Sequence, residues 1–155
     1  MRVQLVAVGT KMPAWVQSAF AEYNKRLPKE LTPKLVELEL GSKSKPGNSE
    51  AAKKSEAEAI LAAIPAEHFV VMLDVGGKAW STAQLAQQLQ DWQMSGRDFS
   101  FVIGGPDGLD ASVRLRANAV WSLSNLTLPH PLVRIVWVEQ IYRAHCILNN
   151  HPYHK

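Results

Sequence analysis

The residues with the most reactive side chains lie near the end of the chain. Histidines occur at His130, His145, His151 and His154, and the chain ends with Asn150-His-Pro-Tyr-His-Lys155. Imidazole and phenol groups so close together could bind a metal, move a proton or stack on an unpaired base. They could also form a frayed end without a role. A metal site is the weakest of these interpretations, because no set of carboxylates accompanies the histidines.

Two further segments could hold a ligand through their backbone. Gly104-Gly105-Pro106-Asp107-Gly108 is the densest glycine cluster, and glycines let a ligand approach the chain closely. It lacks the Gly-Lys-Ser/Thr ending of a Walker A loop and the G-x-G-x-x-G spacing of the dinucleotide fingerprint. These residues alone therefore favour a tight turn. The second segment, Leu123 to Arg134, combines regularly spaced leucines with serine, asparagine and proline. It predicts a loop packed inside the protein, with backbone groups available to an adenine ring or to internal turns.

Both segments follow strands of a predicted α/β sheet. Continuous apolar runs alternate with helical patterns, which is typical of a largely parallel sheet flanked by helices. In such sheets ligands bind beyond the carboxyl ends of the strands. The candidate binding loops are therefore those after Asp74, Ile103 and Leu123. Strands are predicted over 2–8, 35–40, 69–74, 99–103 and 119–123, loops over 41–48 and 75–78, and helices from Pro13, over 49–64, from Ser81 to Gly96, after Asp110 and over 131–149.

The helix predicted over 131–149 is apolar around most of its circumference, with Val136 and Val138 among its apolar residues. A helix of this kind must be buried nearly all round, and a terminal helix in so small a chain has few neighbours to bury it. We therefore expect a homodimer with an isologous interface on this helix, in preference to burial within one subunit.

The composition is that of a globular protein with one domain, residues 1–155. The single cysteine, Cys146, excludes an internal disulfide and fits a reducing compartment. No apolar run is long enough to span a membrane or form a signal peptide, so we expect a cytoplasmic protein. The net charge is +3. Its basic cluster would attract a polyanion, although charge alone fits a solvated surface better; the cluster comprises Lys25, Arg26, Lys29, Lys34, Lys43, Lys45, Lys53 and Lys54.

Taken together, the motifs resemble those of the RlmH family, the large-subunit ribosomal RNA pseudouridine N3-methyltransferases of the SPOUT superfamily. The resemblance runs the full length of the chain, and its most specific parts are the glycine cluster, the Leu-Pro-His segment and the terminal Asn-His-Pro-Tyr-His. One departure is Asp107, where the family often has glutamate, which leaves the role of this carboxylate in doubt. The shared segments are 4–11, 73–74 with 77–78, 103–109, 126–134, 139–144 and 150–154.

The resemblance implies a SPOUT-type sheet with a C-terminal trefoil knot, a homodimer, and S-adenosyl-L-methionine as cofactor. It implies no metal and no membrane. The implied substrate is 23S ribosomal RNA in the large subunit or whole ribosome, methylated at N3 of a pseudouridine. That nitrogen needs a base or an electrostatic partner to lose its proton. The candidates are Arg143, His130, His151, Tyr153 and His154, and the implied cofactor contacts are Leu73, Gly104, Gly105, Leu123, Ser124, Asn125, Leu126, Thr127 and Leu128.

Three other functions are compatible with parts of the sequence. A SPOUT enzyme for another RNA nucleotide would use the same cofactor loops, but the terminal segment argues against it. A non-enzymatic RNA-binding module of the ribosome would explain the basic cluster and leave both backbone loops without a role. A dinucleotide-dependent oxidoreductase is disfavoured by the missing glycine fingerprint.

Overall fold

A computed structural model of the chain describes residues 1–41 and 49–155. Five strands alternate with helices in this part of the chain. The strands are β1 (Val3–Val8), β2 (Lys34–Leu38), β3 (Phe69–Ala79), β4 (Phe99–Ile103) and β5 (Ala119–Ser122). The helices are α1 (Ala14–Asn24), α2 (Ser49–Ala63), α3 (Thr82–Ser95), α4 (Ala111–Arg116) and α5 (His130–Leu148), with a short 3₁₀ helix at Lys29–Leu31.

The five strands form one parallel sheet in the order β2-β1-β4-β3-β5. Strands β1, β4 and β3 occupy the centre. All residues of β1 and β4 and residues 70–73 of β3 are buried, as expected for a parallel sheet covered on both faces, whereas much of the second half of β3 is exposed. Because all strands run the same way, their carboxyl ends meet at one edge. This confirms the prediction of a mostly parallel α/β sheet.

Helices cover both faces of the sheet. On one face, α1, α3 and α5 contribute Phe20, Leu89 and Trp137 to a core that is rich in aromatic side chains. On the other face, α2 and α4 contribute Ile60 and Val113 to a smaller aliphatic core. Since strand residues alternate between the two faces, each central strand supplies both cores.

The start of α3 follows the sequence closely. The Ser81 side chain accepts a hydrogen bond from the Gln84 backbone N–H, and the Gln84 side chain accepts one from the Ser81 N–H. This reciprocal pair is the predicted capping box. The helix ends at Gly96, whose φ of 67° lies in the left-handed region that glycine tolerates best.

The prediction of a loop over residues 75–78 was wrong. Strand β3 continues to Ala79, and its pairing with β5 shifts register between Leu73 and Lys78. The irregularity lets the strand keep its neighbour on both sides of residues 74–77, which begin where the predicted apolar run ends. The predicted loop at 41–48 lies outside the described residues except for Gly41.

The argument that α5 lacks neighbours within one subunit was also wrong. This helix packs between α1 and α3 on the sheet, where Trp137, Val138 and Ile141 are buried. Val136 remains half-buried and Leu132 is 37% exposed. The helix therefore finds most of its cover within one chain, because α1 and α3 flank it on both sides. None of the helices in the described residues is long and apolar enough to cross a membrane.

Candidate active site

A cavity of about 680 Å³ opens at the carboxyl ends of β4 and β5, beside the register shift in β3. Its walls come from the loops after Ile103 and Leu123, which the sheet pattern singled out, from residues 73–75 of β3 and from the first turn of α5. Of the residues predicted to contact a cofactor, Asn125 lies outside the lining. The others line the cavity: Leu73, Gly104, Gly105, Leu123, Ser124, Leu126, Thr127 and Leu128.

The glycine loop is tight because its surroundings leave no space for side chains. A Cβ at Gly104 would lie 2.7 Å from the Cγ of Leu109, and one at Gly105 would lie 3.1 Å from Oε1 of the buried Glu56. Both directions point into protein. From these residues alone the sequence favoured a tight turn, with close approach by a ligand as the alternative. The structure shows such a turn, which folds back on Leu109, and Leu109 itself lines the cavity.

The loop before α5 is more exposed than predicted. Leu126 is 74% exposed, and Asn125 and Thr127 are exposed as well. Its local order comes from side-chain hydrogen bonds: the Ser122 hydroxyl donates to the Ser124 carbonyl at 2.8 Å, and the Ser124 hydroxyl accepts from the Leu126 N–H at 3.0 Å. The expectation of a loop packed inside the protein was therefore wrong, because its leucines face the cavity and its mouth.

Behind the cavity, a buried arginine joins the ends of three strands to α5. Arg134 is 2% exposed. Its Nε donates to Nε2 of His130 at 2.9 Å, one Nη donates to the Glu37 carboxylate at 2.5 Å, and the other donates to the Gly9 carbonyl at 2.7 Å. His130 Nδ1 in turn lies 2.7 Å from the Gly104 carbonyl. We call these groups the Arg134 junction.

The sequence analysis gave Arg134 no role, although a signal was present. An arginine within an otherwise apolar helix is unusual, and Arg134 follows His130 by four residues, so the two side chains are neighbours on the helix surface. The long-range partners, Glu37 and the Gly9 carbonyl, could not be found by such local spacing. Asp74 was also missed as a lining residue; it bonds the Gly76 N–H and lies 3.7 Å from Arg114.

The chemically reactive residues at the end of the chain form a second cluster. Arg143 donates to Oε1 of Glu139 through Nε at 2.9 Å, and the Tyr153 hydroxyl donates to the same oxygen at 3.0 Å. The Arg143 guanidinium lies over the Tyr153 ring, 4.7 Å from its centroid, and its Nη1 is 3.3 Å from Nδ1 of His154. The Tyr153 ring also packs on Tyr142 at 4.8 Å. We call this group the tail cluster.

The tail is therefore anchored at Tyr153. The sequence left a frayed end as one interpretation, but Tyr153 packs against the aromatic core, while His151, Pro152, His154 and Lys155 are exposed. Burial and the hydrogen bond to Glu139 raise the pKa of Tyr153. Its phenol accordingly remains protonated near neutral pH and acts as a donor. The bond with Glu139 likewise raises the pKa of Arg143, which stays a cation.

The cavity and the tail cluster lie at opposite ends of α5. Arg143 follows the lining residue Val133 by ten positions, which corresponds to about 15 Å along a helix axis. Of the five candidate catalytic groups, His130 alone lines the cavity. A single chain thus separates the cofactor loops from the other four candidates.

Two further predictions concern charge and metals. In the basic cluster, Lys25 and Arg26 both pair with Glu22 at 2.7 Å, so part of its charge is neutralised. Lys43 and Lys45 lie outside the described residues. Across residues 1–41 and 49–155, no group of three or more histidine, cysteine or acidic side chains is arranged to hold a metal ion.

Comparison with known proteins assigns this geometry to a family. A family model described as "Predicted SPOUT methyltransferase" matches residues 1–154. The chain belongs to the SPOUT methyltransferase family. Curated relatives of this SPOUT protein named "Ribosomal RNA large subunit methyltransferase H" are 56% identical in Saccharophagus degradans and 50% in Marinomonas sp., each over all of both chains. The one from Hahella chejuensis is 49% identical over all of this chain and 99% of its own. The resemblance to the RlmH family is thereby confirmed.

Two solved structures share the fold at low sequence identity. A probable rRNA-methyltransferase from Porphyromonas gingivalis is 12% identical with a TM-score of 0.55, over 95% of this chain and 70% of its own. A probable methylase family protein from Haemophilus influenzae Rd KW20 is 15% identical with a TM-score of 0.55, over 99% and 70%. The SPOUT protein thus shares its sheet and helix arrangement with these two solved structures.

Proposed function

We propose that this protein methylates N3 of a pseudouridine in 23S ribosomal RNA, using S-adenosyl-L-methionine. It would act in the cytoplasm on the assembled large subunit or ribosome. The observation that carries the proposal is the cavity at the carboxyl ends of β4 and β5, built by the motifs shared with the RlmH family. The proposal includes the features of that family: one domain spanning residues 1–155, a C-terminal trefoil knot and a homodimer.

The cavity suits such a cofactor in size and chemistry. Its volume lies within the range of ligand pockets, and its lining is mainly apolar. Among the described lining residues, Asp74 has the one carboxylate, a partner for a positively charged ligand. Within the described residues, the backbone N–H groups of Thr127 and Leu128 make no hydrogen bond and remain available to an adenine edge. When bound, S-adenosylmethionine would supply an electrophilic methyl group on its sulfonium.

The tail cluster would meet the RNA. Arg143 is held in a fixed direction by Glu139 and Tyr153, and a fixed cation can bind phosphate or favour the anionic form of a base. His151 and His154 are exposed, and imidazole rings can stack on an unpaired base. Arg143 would favour loss of the N3 proton, and an exposed imidazole or water would receive that proton.

A homodimer would bring a cavity and a tail cluster together, although they lie at opposite ends of α5 in one chain. In one chain Arg143 lies about 15 Å along the α5 axis from the lining residue Val133, so the Arg143 and tail that serve a cavity would come from the partner subunit. The cavity mouth carries the apolar side chains of Val75 and Leu126, which are 56% and 74% exposed. A second copy would cover such side chains and complete the site.

The proposal is tested with ribosomes from a strain that lacks this gene. Purified protein is incubated with these ribosomes and S-adenosylmethionine, and the digested 23S RNA is analysed by mass spectrometry. We expect one new methyl group on a pseudouridine, at N3. Calorimetric titration with the cofactor is run in parallel. Binding with methylation of a different nucleotide would indicate another SPOUT activity, whereas no heat and no methylation would indicate an RNA-binding module.

A further inference from the structure

The Arg134 junction fixes the protonation state of His130. A guanidinium can only donate hydrogen bonds, so Nε2 of His130, which receives the bond from Arg134, must be an unprotonated acceptor. A neutral imidazole carries its proton on the other nitrogen. Nδ1 therefore carries the hydrogen and donates it to the Gly104 carbonyl. Both ring nitrogens are engaged, and neither is free to accept a proton.

Electrostatics supports the neutral form. Burial is the main cause that lowers the pKa of His130, and the Arg134 cation lowers it further. The opposing influences are the Gly104 carbonyl and the Glu37 carboxylate. A second proton on the ring would break the bond from Arg134 and place two cations side by side.

The same two side chains connect opposite walls of the cavity. Gly104 ends the β4 wall, and His130 begins the wall formed by α5 and the loop before it. Arg134 then fastens His130 to the end of β1 through Gly9 and to β2 through Glu37. A chain of hydrogen bonds thus runs from β2 to Gly104 and joins the two walls.

We propose that His130 and Arg134 are positioning residues that hold the cofactor cavity in its binding geometry, and that His130 is not the proton acceptor of the reaction. This inference rests on the proposed function only where it concerns the cofactor. Its central claim, the Nδ1-protonated tautomer of His130, concerns the free protein.

The tautomer is measured first, by nitrogen-15 NMR of histidine-labelled protein without any ligand. At pH 7 we expect His130 to show a protonated Nδ1 and an unprotonated Nε2. Replacing Arg134 by methionine should weaken this preference, because only the Gly104 carbonyl would then select the tautomer, and should let Nε2 take up a proton more readily. If His130 is instead protonated on Nε2 in the wild-type protein, the inference is overturned, whatever the protein methylates.

Two substitutions then separate positioning from proton transfer. The amide of His130→Asn can still donate to the Gly104 carbonyl from near the position of Nδ1, whereas His130→Ala cannot. His130→Asn loses the acceptor for Arg134, so we expect a cofactor affinity between those of the wild-type protein and His130→Ala, with most turnover at saturating cofactor retained and the pH profile of the wild type. His130→Ala should weaken cofactor affinity about tenfold, which corresponds to the loss of one hydrogen bond of about 1.4 kcal/mol. Its effect on kcat at saturating cofactor should be smaller.

The matched control is His145→Ala. His145 is also half-buried on α5, with its Nδ1 3.2 Å from the Asn149 amide, but it lies toward the far end of the helix from the cavity. Its loss should leave cofactor affinity unchanged, and thermal melting verifies that each variant is folded. Loss of turnover in His130→Asn with normal cofactor affinity would identify His130 as the base and contradict the inference. A wild-type protein that binds no cofactor while His130 shows the expected tautomer would contradict only the proposed function.

Discussion

Individual residues around the cavity determine its shape mainly through the volume of their side chains. Gly104 lacks a side chain because Leu109 occupies the position of its Cβ, and Leu109 is itself part of the cavity wall. A substitution at this glycine therefore alters the cavity through its neighbour. The functional consequence is the one expected from the glycine-rich motif, but it arises from packing within the loop.

Gly104→Val should abolish or greatly weaken binding of S-adenosylmethionine. The branched side chain would displace Leu109 and shift the turn that ends at Gly108, which narrows the cavity. Isothermal titration measures the affinity. Gly96→Ala is the control, because a Cβ there meets nothing within 4 Å; its left-handed φ costs about 1 kcal/mol of stability, with no effect on affinity. Wild-type affinity in Gly104→Val would show that the cofactor binds elsewhere.

Arg143→Ala should lower methyl transfer by about 100-fold, a loss typical of removing one preorganised electrostatic contact, while cofactor affinity stays within about twofold. The physical reason is that Arg143 lies at the far end of α5 from the cavity. Single-turnover assays on ribosomes lacking the modification measure the step. Arg97→Ala is a suitable control, since that arginine lies near Phe69 at the opposite end of the strands. An equal loss of methyl transfer in Arg143→Ala and Arg97→Ala would mean that the loss comes from removing a positive charge anywhere on the protein.

Among the elements, α5 and the tail that follows it connect the two halves of the candidate site. The helix begins at the cavity with His130 and ends beside the tail cluster. Tyr153 folds back onto the helix, where it contacts Tyr142 and Glu139. The tail thus has a structural contact at one residue and exposed imidazoles on both sides of it.

Deletion of residues 152–155 should remove most methyl transfer and leave cofactor affinity nearly intact. The lost aromatic contact and hydrogen bond of Tyr153 should also lower stability by about 1–2 kcal/mol. Urea denaturation measures the stability, and titration measures the affinity. Tyr153→Phe is the comparison variant, because it keeps the ring contact and loses the bond to Glu139. Full activity of the truncated protein would show that the tail is passive.

For the whole molecule, the question is how many chains make one site. Two valines on α5 that seemed equivalent in the sequence differ in the structure. Val138 is fully buried within one chain, whereas Val136 is half-buried. Only a substitution at Val136 can test an interface without also disrupting the core.

Val136→Glu should weaken the proposed homodimer, with the subunit still folded. Val138→Glu should unfold the chain itself, at a cost of about 3 kcal/mol or more, because the carboxylate has no partner in the core. Sedimentation measures assembly, and circular dichroism verifies folding. Leu115→Glu is the surface control, since Leu115 is 87% exposed. A wild-type protein that sediments as an active monomer would exclude the dimer.

A mixture of two inactive variants tests whether the site is shared. Gly104→Val impairs the cavity and Arg143→Ala impairs the tail cluster. If the partner's tail serves each cavity, a mixed dimer has one site with both defects and one intact site, so random exchange restores about a quarter of the wild-type rate. If each chain uses its own tail, every site has one defect and the mixture stays inactive. Recovery is measured on the same ribosomes after joint refolding.

The sequence determined those features that depend on local spacing. Apolar runs and helical patterns predicted the parallel sheet, the capping box at Ser81 predicted the start of α3, and strand ends predicted the cavity loops. These signals are local because hydrogen bonding and side-chain periodicity act over a few residues. The motifs also identified the family, which periodicity could not have done.

The tertiary structure decided the features that join distant residues. Arg134 meets Glu37 and the Gly9 carbonyl across more than 90 positions of sequence, and no local pattern specifies such a contact. The same holds for the burial of α5 between α1 and α3 and for the return of Tyr153 onto Glu139. Which histidine can accept a proton depends on these contacts, because a ring nitrogen that accepts a hydrogen bond from a guanidinium cannot at the same time receive a proton from a substrate.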